Sequence, residues 1–268
     1  MNIKSGLLAL SLCLLPQFAV ADERGSFVTL DREGTNNAIG LDVSALLFTN
    51  DSDPDAGLRE NLWGRYVSPI GLGGYAQFAV SQLFTSEKNQ GAINNVELGA
   101  LYQMNLGGDA DLEFHLGVGL PTGPKDDFAA VIANAATIGA RVQDLALSAA
   151  GAVWIRPGVG IRLGSKRLFA QFDGGLDIPI NDEGYGYESL IHLNAGVGTT
   201  QGPMALTLEA ATLISAFGPG DADAIHNFGA SIRYVDGSIQ PFLAYVLPIH
   251  FGDPVTAHVV TAGVQGQF

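Results

Sequence analysis

The sequence is poor in cysteine and in positive charge. Its single cysteine, Cys13, lies in an apolar stretch near the N-terminus, so the chain offers no disulfide framework and no cysteine metal site. Lys and Arg number 13 against 27 Asp and Glu in 268 residues, which gives a formal net charge of −14. Nucleic acids are bound through basic patches, and the sequence contains none. We therefore expect no nucleic-acid partner.

After its N-terminal stretch, the chain also lacks a long hydrophobic run. A membrane-spanning helix needs roughly 20 consecutive apolar residues, and no later stretch reaches that length. Yet the mean hydropathy is +0.23, only 15% of the residues are charged, and glycine occurs 35 times. Apolar character without long apolar runs is typical of strands in which apolar and polar side chains alternate.

The N-terminus has the three parts of an export signal. Lys4 supplies a positive n-region, Leu7 to Leu15 form an apolar h-region, and Ala19 to Ala21 form a small-residue cleavage site. The stretch is too short for a membrane anchor. We predict that residues 1–21 are a cleaved signal peptide and that residues 22–37 form a periplasmic N-terminal segment.

From Ala38 onward, apolar side chains recur at every second position in segments of about ten residues. Between Asp111 and Leu120, for example, large apolar residues alternate with acidic residues, histidine and glycine. The predicted strands are 38–48, 59–67, 74–84, 92–104, 110–120, 151–163, 166–179, 187–199, 203–214, 225–235, 238–249 and 257–268. The predicted fold is all-β: a closed antiparallel transmembrane β-barrel of about twelve strands over residues 38–268, in the outer membrane of a Gram-negative-type cell.

The connections between the predicted strands alternate in length, as they do in outer-membrane barrels. Short links, including the hairpin pair Asp236-Gly237, are separated by longer acidic loops. The longest link, 121–150, has apolar residues at helical spacing after the candidate N-caps Asp126 and Asp127. It is either a helix over or inside the pore mouth or an irregular external loop.

Aromatic residues fall near the periplasmic ends of several predicted strands. With both termini in the periplasm, the predicted aromatic girdle consists of Tyr66, Tyr75, Tyr102, Tyr234 and Phe268. The last strand, which alternates and ends in Phe268, resembles the C-terminal recognition signal of outer-membrane barrels. That resemblance implies that Phe268 is a membrane-insertion signal for the barrel-assembly machinery and that outer-membrane lipid surrounds the barrel. A soluble lipocalin-like barrel would also alternate, but its core face would not carry so many polar residues.

If the apolar face meets lipid, the opposite face lines the lumen. It carries charges of both signs, and the candidate selectivity residues are Arg65, Glu97, Glu113, His115, Arg156, Arg162, Asp173, Asp177, His192, Glu209 and Arg233. These residues either set the selectivity of a water-filled pore for a small-molecule solute or neutralise one another in a plugged barrel. Inward glycines such as Gly117 and Gly158 leave space and favour conduction, although glycine equally serves barrel curvature.

Motifs for catalysis and for cofactors are missing from the sequence. His115 and His192 are candidate bases, but no G-x-S-x-G or H-E-x-x-H motif accompanies them. Asp51, Asp53 and Asp55 begin like a calcium loop, but the required glycine and the closing glutamate do not follow. We therefore predict no enzyme, no cofactor and no dedicated metal site, and leave open a loose divalent-cation site in the acidic loops.

A further resemblance is local and concerns Leu116 to Gly123, which read LGVGLPTG. This segment is similar to the phenol-degradation meta-pathway family of outer-membrane proteins. The resemblance implies a barrel that admits hydrophobic or aromatic nutrients, and it assigns no binding residue. The predicted function is passive diffusion of small solutes through the barrel. The alternatives are a non-conducting structural or adhesion barrel and a barrel hydrolase.

Overall fold

Antiparallel strands make up most of the described chain. The computed structural model describes residues 26–30, 37–49, 56–86, 89–149, 151–165, 167–181, 187–215, 224–250 and 257–268. Within these ranges the strands are β1 Ala38–Phe48, β2 Ala56–Val67, β3 Leu72–Phe84, β4 Gln90–Ile93, β5 Val96–Gly107, β6 Ala110–Leu120, β7 Val153–Gly164, β8 Leu168–Asn181, β9 Leu190–Gln201, β10 Met204–Ser215, β11 Ala224–Tyr234, β12 Ile239–His250 and β13 Ala257–Gln267. The predicted strands match these within a few residues at each end, except that the predicted strand 92–104 is divided at Asn94 and Asn95 into β4 and β5.

The strands close into a barrel. Consecutive strands pair antiparallel except β4 and β5, β13 pairs with β1, and β2 pairs with both β1 and β3. Strands β4 and β5 both pair with β3, one above the other, so the thirteen described strands occupy twelve places around the barrel. The prediction of a closed barrel of about twelve strands is confirmed. No helix among the described residues is both long and apolar enough to cross a membrane.

Side chains on the two faces of the wall differ in polarity. On β6, Phe114 and Leu116 point outward and are about half exposed, whereas Asp111 and Glu113 point inward and are buried. The same alternation runs through the other strands: the outer face carries large apolar side chains, and the inner face carries the buried polar ones together with buried apolar ones such as Trp154 and Phe169. An apolar exterior around a polar interior suits a wall that meets lipid, and it is the reverse of a soluble barrel.

The longest link contains a helix, one of the two alternatives that the sequence left open, and the residues that follow this helix are buried in the barrel interior. Helix α1 (Phe128–Ala136) is followed by two 3-10 turns (Ile138–Ala140 and Val142–Asp144) and by the short helix α2 (Leu145–Ser148). The carboxylate of Asp127 caps α1 by accepting hydrogen bonds from the N–H groups of Ala129 and Ala130. Residues 128–148, called the insert below, contribute many fully buried side chains to the barrel interior.

A second segment also occupies the interior. Of the predicted periplasmic segment 22–37, residues 26–30 contact inward-facing side chains of the barrel. The ring of Phe27 packs edge-on against Phe169 with a centroid distance of 5.6 Å. The predicted cleavage site lies outside the described residues. Residues 26–30 are called the lumen segment below.

One aromatic residue of the predicted girdle faces the other way. Tyr66, Tyr102 and Tyr234 point outward and are exposed, as predicted. Tyr75 points inward, and its hydroxyl donates a hydrogen bond of 2.6 Å to Glu97. The prediction for Tyr75 was wrong because it considered only the height along β3, whereas alternation places Tyr75 on the same face as the inward Gln77.

Candidate functional site in the barrel lumen

All eleven predicted lumen residues lie on the inner face of the wall. Ten of them are buried and His115 is half-buried. Their burial follows from their contacts with one another, with the insert and with the lumen segment. The inner face is therefore charged, and several of its charges are paired with one another. A role in ion selectivity stays a prediction.

Arg156 is the centre of the densest ionic cluster. Its guanidinium donates to Glu97 at 2.5 Å, to Asp177 at 2.7 Å and to the backbone carbonyl of Gln143 at 2.6 Å. Glu97 also accepts hydrogen bonds from Tyr75 and Gln77. One arginine of the wall thus joins two carboxylates of the wall to the insert.

A second ion pair lies beside a small polar cavity. Arg65 donates to both carboxylate oxygens of Glu113, at 3.3 and 2.6 Å. The cavity of about 50 Å³ is lined by this pair together with Tyr75, His115 and Arg156, among others. A water molecule needs roughly 10–15 Å³ of such space, so the cavity holds only a few waters.

The carboxylate of Glu209 binds the lumen segment, mainly at the backbone of that segment. The carboxylate accepts hydrogen bonds from the N–H of Val28 at 2.9 Å, from the N–H of Thr29 at 2.5 Å and from the Thr29 hydroxyl at 2.8 Å. Arg141 of the insert donates to the carbonyl oxygens of Val28 and Leu30. The lumen segment is therefore held between the wall and the insert.

Sequence reasoning missed three charged residues of this site. Asp144 of the insert lies 2.6 Å from Arg141 and 3.9 Å from Arg59 of β2, and all three side chains are buried. Arg59 shares the inward face of β2 with Arg65, and alternation could have identified it. Nothing local could have identified Arg141 and Asp144, because their role depends on the insert entering the lumen.

Two predicted arginines stack on aromatic rings. The guanidinium of Arg162 lies 5.3 Å from the ring centroid of Phe169, and that of Arg233 lies 4.3 Å from the centroid of Phe242. Arg233 also donates to Gln265 at 3.2 Å. Asp173 accepts hydrogen bonds from Gln171 and Asn194. Each of these predicted residues contacts an aromatic ring or a polar side chain inside the lumen.

The two predicted histidines fill space beside glycines. Nδ1 of His192 lies 3.6 Å from Asp177, and the ring of His115 meets Tyr75 edge-on. A Cβ atom added at Gly158 would lie 2.3 Å from His115, and one added at Gly175 would lie 2.6 Å from His192. From the sequence, the inward glycines favoured an open pore. In the structure, large side chains of neighbouring residues pack against these glycines and occupy the space in the lumen.

An apolar cavity lies between the insert and the wall. Its volume is about 300 Å³, and its twelve lining residues have no polar side-chain atom. The insert contributes Ala135, Ile138 and Gly139, and strands β1, β11 and β12 contribute Leu46, Ile225 and Pro248, among others. This lining contrasts with the polar character of most of the inner wall.

Comparisons with known proteins give structural neighbours but no sequence family. No family model matches the chain, and no curated protein matches it. The crystal structure of the COG4313 outer membrane channel from Pseudomonas putida F1 matches with a TM-score of 0.65 and 9% identity, over 88% of this chain and 97% of that one. The KdgM porin matches with a TM-score of 0.54 and 12% identity, over 85% and 99%. The NanC porin matches with a TM-score of 0.53 and 10% identity, over 85% and 100%.

Identities this low establish a shared fold only. The predicted resemblance to outer-membrane barrels is confirmed at that level, whereas the phenol-degradation family stays a prediction. The three matched proteins are porins or channels, and the matches extend over almost their entire lengths. The chain therefore has the closed, twelve-place β-barrel fold of outer-membrane channels.

Proposed function

We propose that the protein is an outer-membrane channel through which small solutes diffuse passively, and that its solutes are small apolar or aromatic molecules. The observation that carries this proposal is the apolar cavity of about 300 Å³ inside a barrel with a mostly polar inner wall. A dry cavity of roughly 150 Å³ with aliphatic walls is known to bind benzene. The cavity beside the insert therefore has the size and the chemistry for a small aromatic molecule.

The polar part of the lumen supports the same choice of solute. Its cavity of about 50 Å³ is lined by paired charges and has room for water only. A sugar or an amino acid would have to replace several buried ion pairs to pass there, and each broken pair leaves a buried charge uncompensated. Apolar solutes need no such replacement at the apolar cavity.

Filling the apolar cavity should block uptake of an apolar aromatic probe. Ala257 lines the cavity from β13, whereas Ala262 on the same strand points outward. In cells with an intact lipopolysaccharide layer, we expect Ala257→Phe to reduce the influx of N-phenylnaphthylamine to the level of cells that lack the protein. Ala262→Phe should leave the influx unchanged, since it adds the same ring to the lipid face.

The hydrophilic substrate nitrocefin, hydrolysed by a periplasmic β-lactamase, distinguishes the alternatives. Faster entry of nitrocefin than of the aromatic probe would contradict an apolar solute. Entry of neither compound, with the barrel assembled, would favour the structural barrel. That alternative rests on a different observation, the buried side chains of the insert and of the lumen segment that fill the lumen.

The C-terminal residue is proposed to act in assembly. Phe268 is half-buried at the end of the chain, and its N–H donates to the carbonyl of Asn37 at 3.0 Å. We expect Phe268→Ala to lower the amount of heat-modifiable barrel in the outer membrane several-fold, because the barrel-assembly machinery would read this terminus. Phe228→Ala, which also removes an outward aromatic ring, is the control. Equal amounts of both variants would argue against a special role for Phe268.

A further inference from the structure

The apolar cavity is closed on its periplasmic side. It lies at the end of the barrel opposite to Phe268, among the last residues of β1 and β12 and the first residues of β11 and β13. Two of its lining residues, Ile138 and Val142, also belong to a buried apolar cluster. The same cluster contains Phe27 of the lumen segment and Phe169 near the periplasmic end of β8. A solute that continued along the barrel axis would have to break up this cluster and expose its apolar surface.

The wall beside the cavity is incompletely paired. Strand β12 pairs with β13 only as far as Val246 and Val259, although β12 continues to His250 and β13 begins at Ala257. In contrast, β12 stays paired with β11 up to its last residue, and β13 is paired with β1 from its first residue. The unpaired stretch, 247–249 of β12 facing 257–258 of β13, is called the wall gap below.

Pro248 explains the wall gap. In an antiparallel pair, every second residue exchanges hydrogen bonds with the facing strand. The N–H of Gln267 donates to the carbonyl of Ser238 at 2.7 Å, so on β12 the even-numbered residues bond to β13. Pro248 occupies the next such position after Val246, opposite Ala257, and proline has no N–H to donate. The ladder between the two strands therefore stops at Val246.

The cavity reaches the wall gap from the inside. Pro248 and Ala257 line the cavity from the two strands that flank the gap. Ile249 also lines it, although alternation places this residue on the outer face together with the exposed Leu243 and Tyr245. Because an outward residue contributes to the lining, the cavity extends between the two strands toward the lipid.

On the lipid side, a side-chain contact lies at the periplasmic edge of the wall gap. The hydroxyl of Tyr245 on β12 and Nδ1 of His258 on β13 lie 2.5 Å apart. Their rings stack with a centroid distance of 6.0 Å. This contact joins the two strands where their backbone ladder ends, and it holds the wall together below the gap.

We propose that apolar solutes leave the cavity sideways through the wall gap and enter the hydrocarbon of the outer membrane. This inference rests on the proposed function and adds the exit from the cavity. Transfer of an apolar surface from water into lipid is favourable, whereas passage down the lumen would separate buried ion pairs such as Arg156 and Glu97. With a sideways exit, these paired charges stay in place while a solute passes.

A disulfide on the outer face can close the wall gap. The register of β12 and β13 places Leu247 opposite His258, and non-hydrogen-bonded pairs of this kind have Cα atoms about 4.5 Å apart. That spacing suits a disulfide, so Leu247→Cys with His258→Cys can be oxidised across the gap in a Cys13→Ser background. The matched control is Leu243→Cys with Ala262→Cys, which joins the same strands on the same face where they are fully paired.

The disulfide between positions 247 and 258 should abolish influx of N-phenylnaphthylamine, and reduction with dithiothreitol should restore it. The control disulfide should leave influx at the level of its reduced form. Formation of each disulfide is read from a shift in gel mobility. Unchanged influx with the disulfide across the gap formed would overturn the sideways exit, and so would a block by both disulfides.

Pro248→Ala gives a second test that needs no disulfide. The alanine supplies an N–H opposite Ala257, which allows the ladder to continue across the wall gap, and at the same time it enlarges the cavity. A sideways exit predicts a several-fold lower influx. Equal or higher influx would indicate passage along the axis and overturn the proposal. Pro241→Ala, in the paired part of β12, is the control. Failure of the unmodified protein to admit the probe would instead refute the proposed function itself.

Discussion

Replacing Arg156 with methionine should lower the free energy of unfolding of the refolded barrel by about 3–5 kcal/mol. The guanidinium of Arg156 neutralises Glu97 and Asp177, and all three side chains are almost completely buried. Methionine retains much of the apolar volume but leaves two carboxylates without their cation. The same substitution frees the carbonyl of Gln143 in the insert, which adds a buried acceptor without a donor.

Urea titration of the protein in detergent micelles, followed by tryptophan fluorescence, measures this change. Arg167→Met is the control, because Arg167 is exposed near the start of β8 and no measurable change is expected. A triple variant that adds Glu97→Gln and Asp177→Asn should recover part of the loss, since the unpaired charges are then gone. Equal stability of Arg156→Met and the control would show that the ion pairs contribute little to the barrel.

Replacing Glu209 with alanine should release the lumen segment and raise the single-channel conductance of the protein. Glu209 accepts hydrogen bonds from two backbone N–H groups and one hydroxyl of this segment. A hydrogen bond to a charged group contributes about 1.5–3 kcal/mol, so the substitution removes three strong contacts and leaves the two that Arg141 makes with the carbonyls of Val28 and Leu30. The space vacated by Phe27, Val28 and Thr29 then becomes available to water and ions.

Planar-bilayer recordings in potassium chloride measure the effect, and we expect steps several times larger than those of the unmodified protein. Thr207→Val is the matched control. Its hydroxyl donates to the same carboxylate at 2.8 Å and lies 2.6 Å from the hydroxyl of Ser231 on the neighbouring strand. If Glu209→Ala and Thr207→Val both conduct like the unmodified protein, then packing of Phe27 against Phe169 is sufficient to hold the segment.

Much of the wall was predictable because strand geometry is local. Successive side chains of a strand point to opposite faces, so the residues on each face of a ten-residue strand can be identified from the sequence alone. That rule placed Glu97, Glu113 and Arg156 inside and Phe114 and Leu116 outside, all in agreement with the structure. The same rule places Tyr75 inside. The prediction for Tyr75 was wrong because it was based on the height of the residue along β3 and not on the face of the strand to which its side chain points.

The contents of the lumen were much less predictable. Apolar spacing in the link 121–150 left two alternatives, a helix over or inside the pore mouth and an irregular external loop, and only the structure shows that the residues after the helix are buried in the lumen. Gly117 and Gly158 suggested empty space, whereas the structure places Glu97 and His115 against them. Glycine leaves room beside the backbone, and only the neighbouring strand decides whether that room is filled.

The sequence by itself determined the barrel: the number of places in the wall, the direction of nearly every side chain and the chemical difference between the two faces. The tertiary structure decided how the lumen is used. The contacts of Glu209 with Val28, of Arg156 with Gln143 and of Asp144 with Arg59 join residues far apart in the chain. Such contacts depend on closure of the whole barrel around the insert and the lumen segment, and no period or motif in a single strand encodes them.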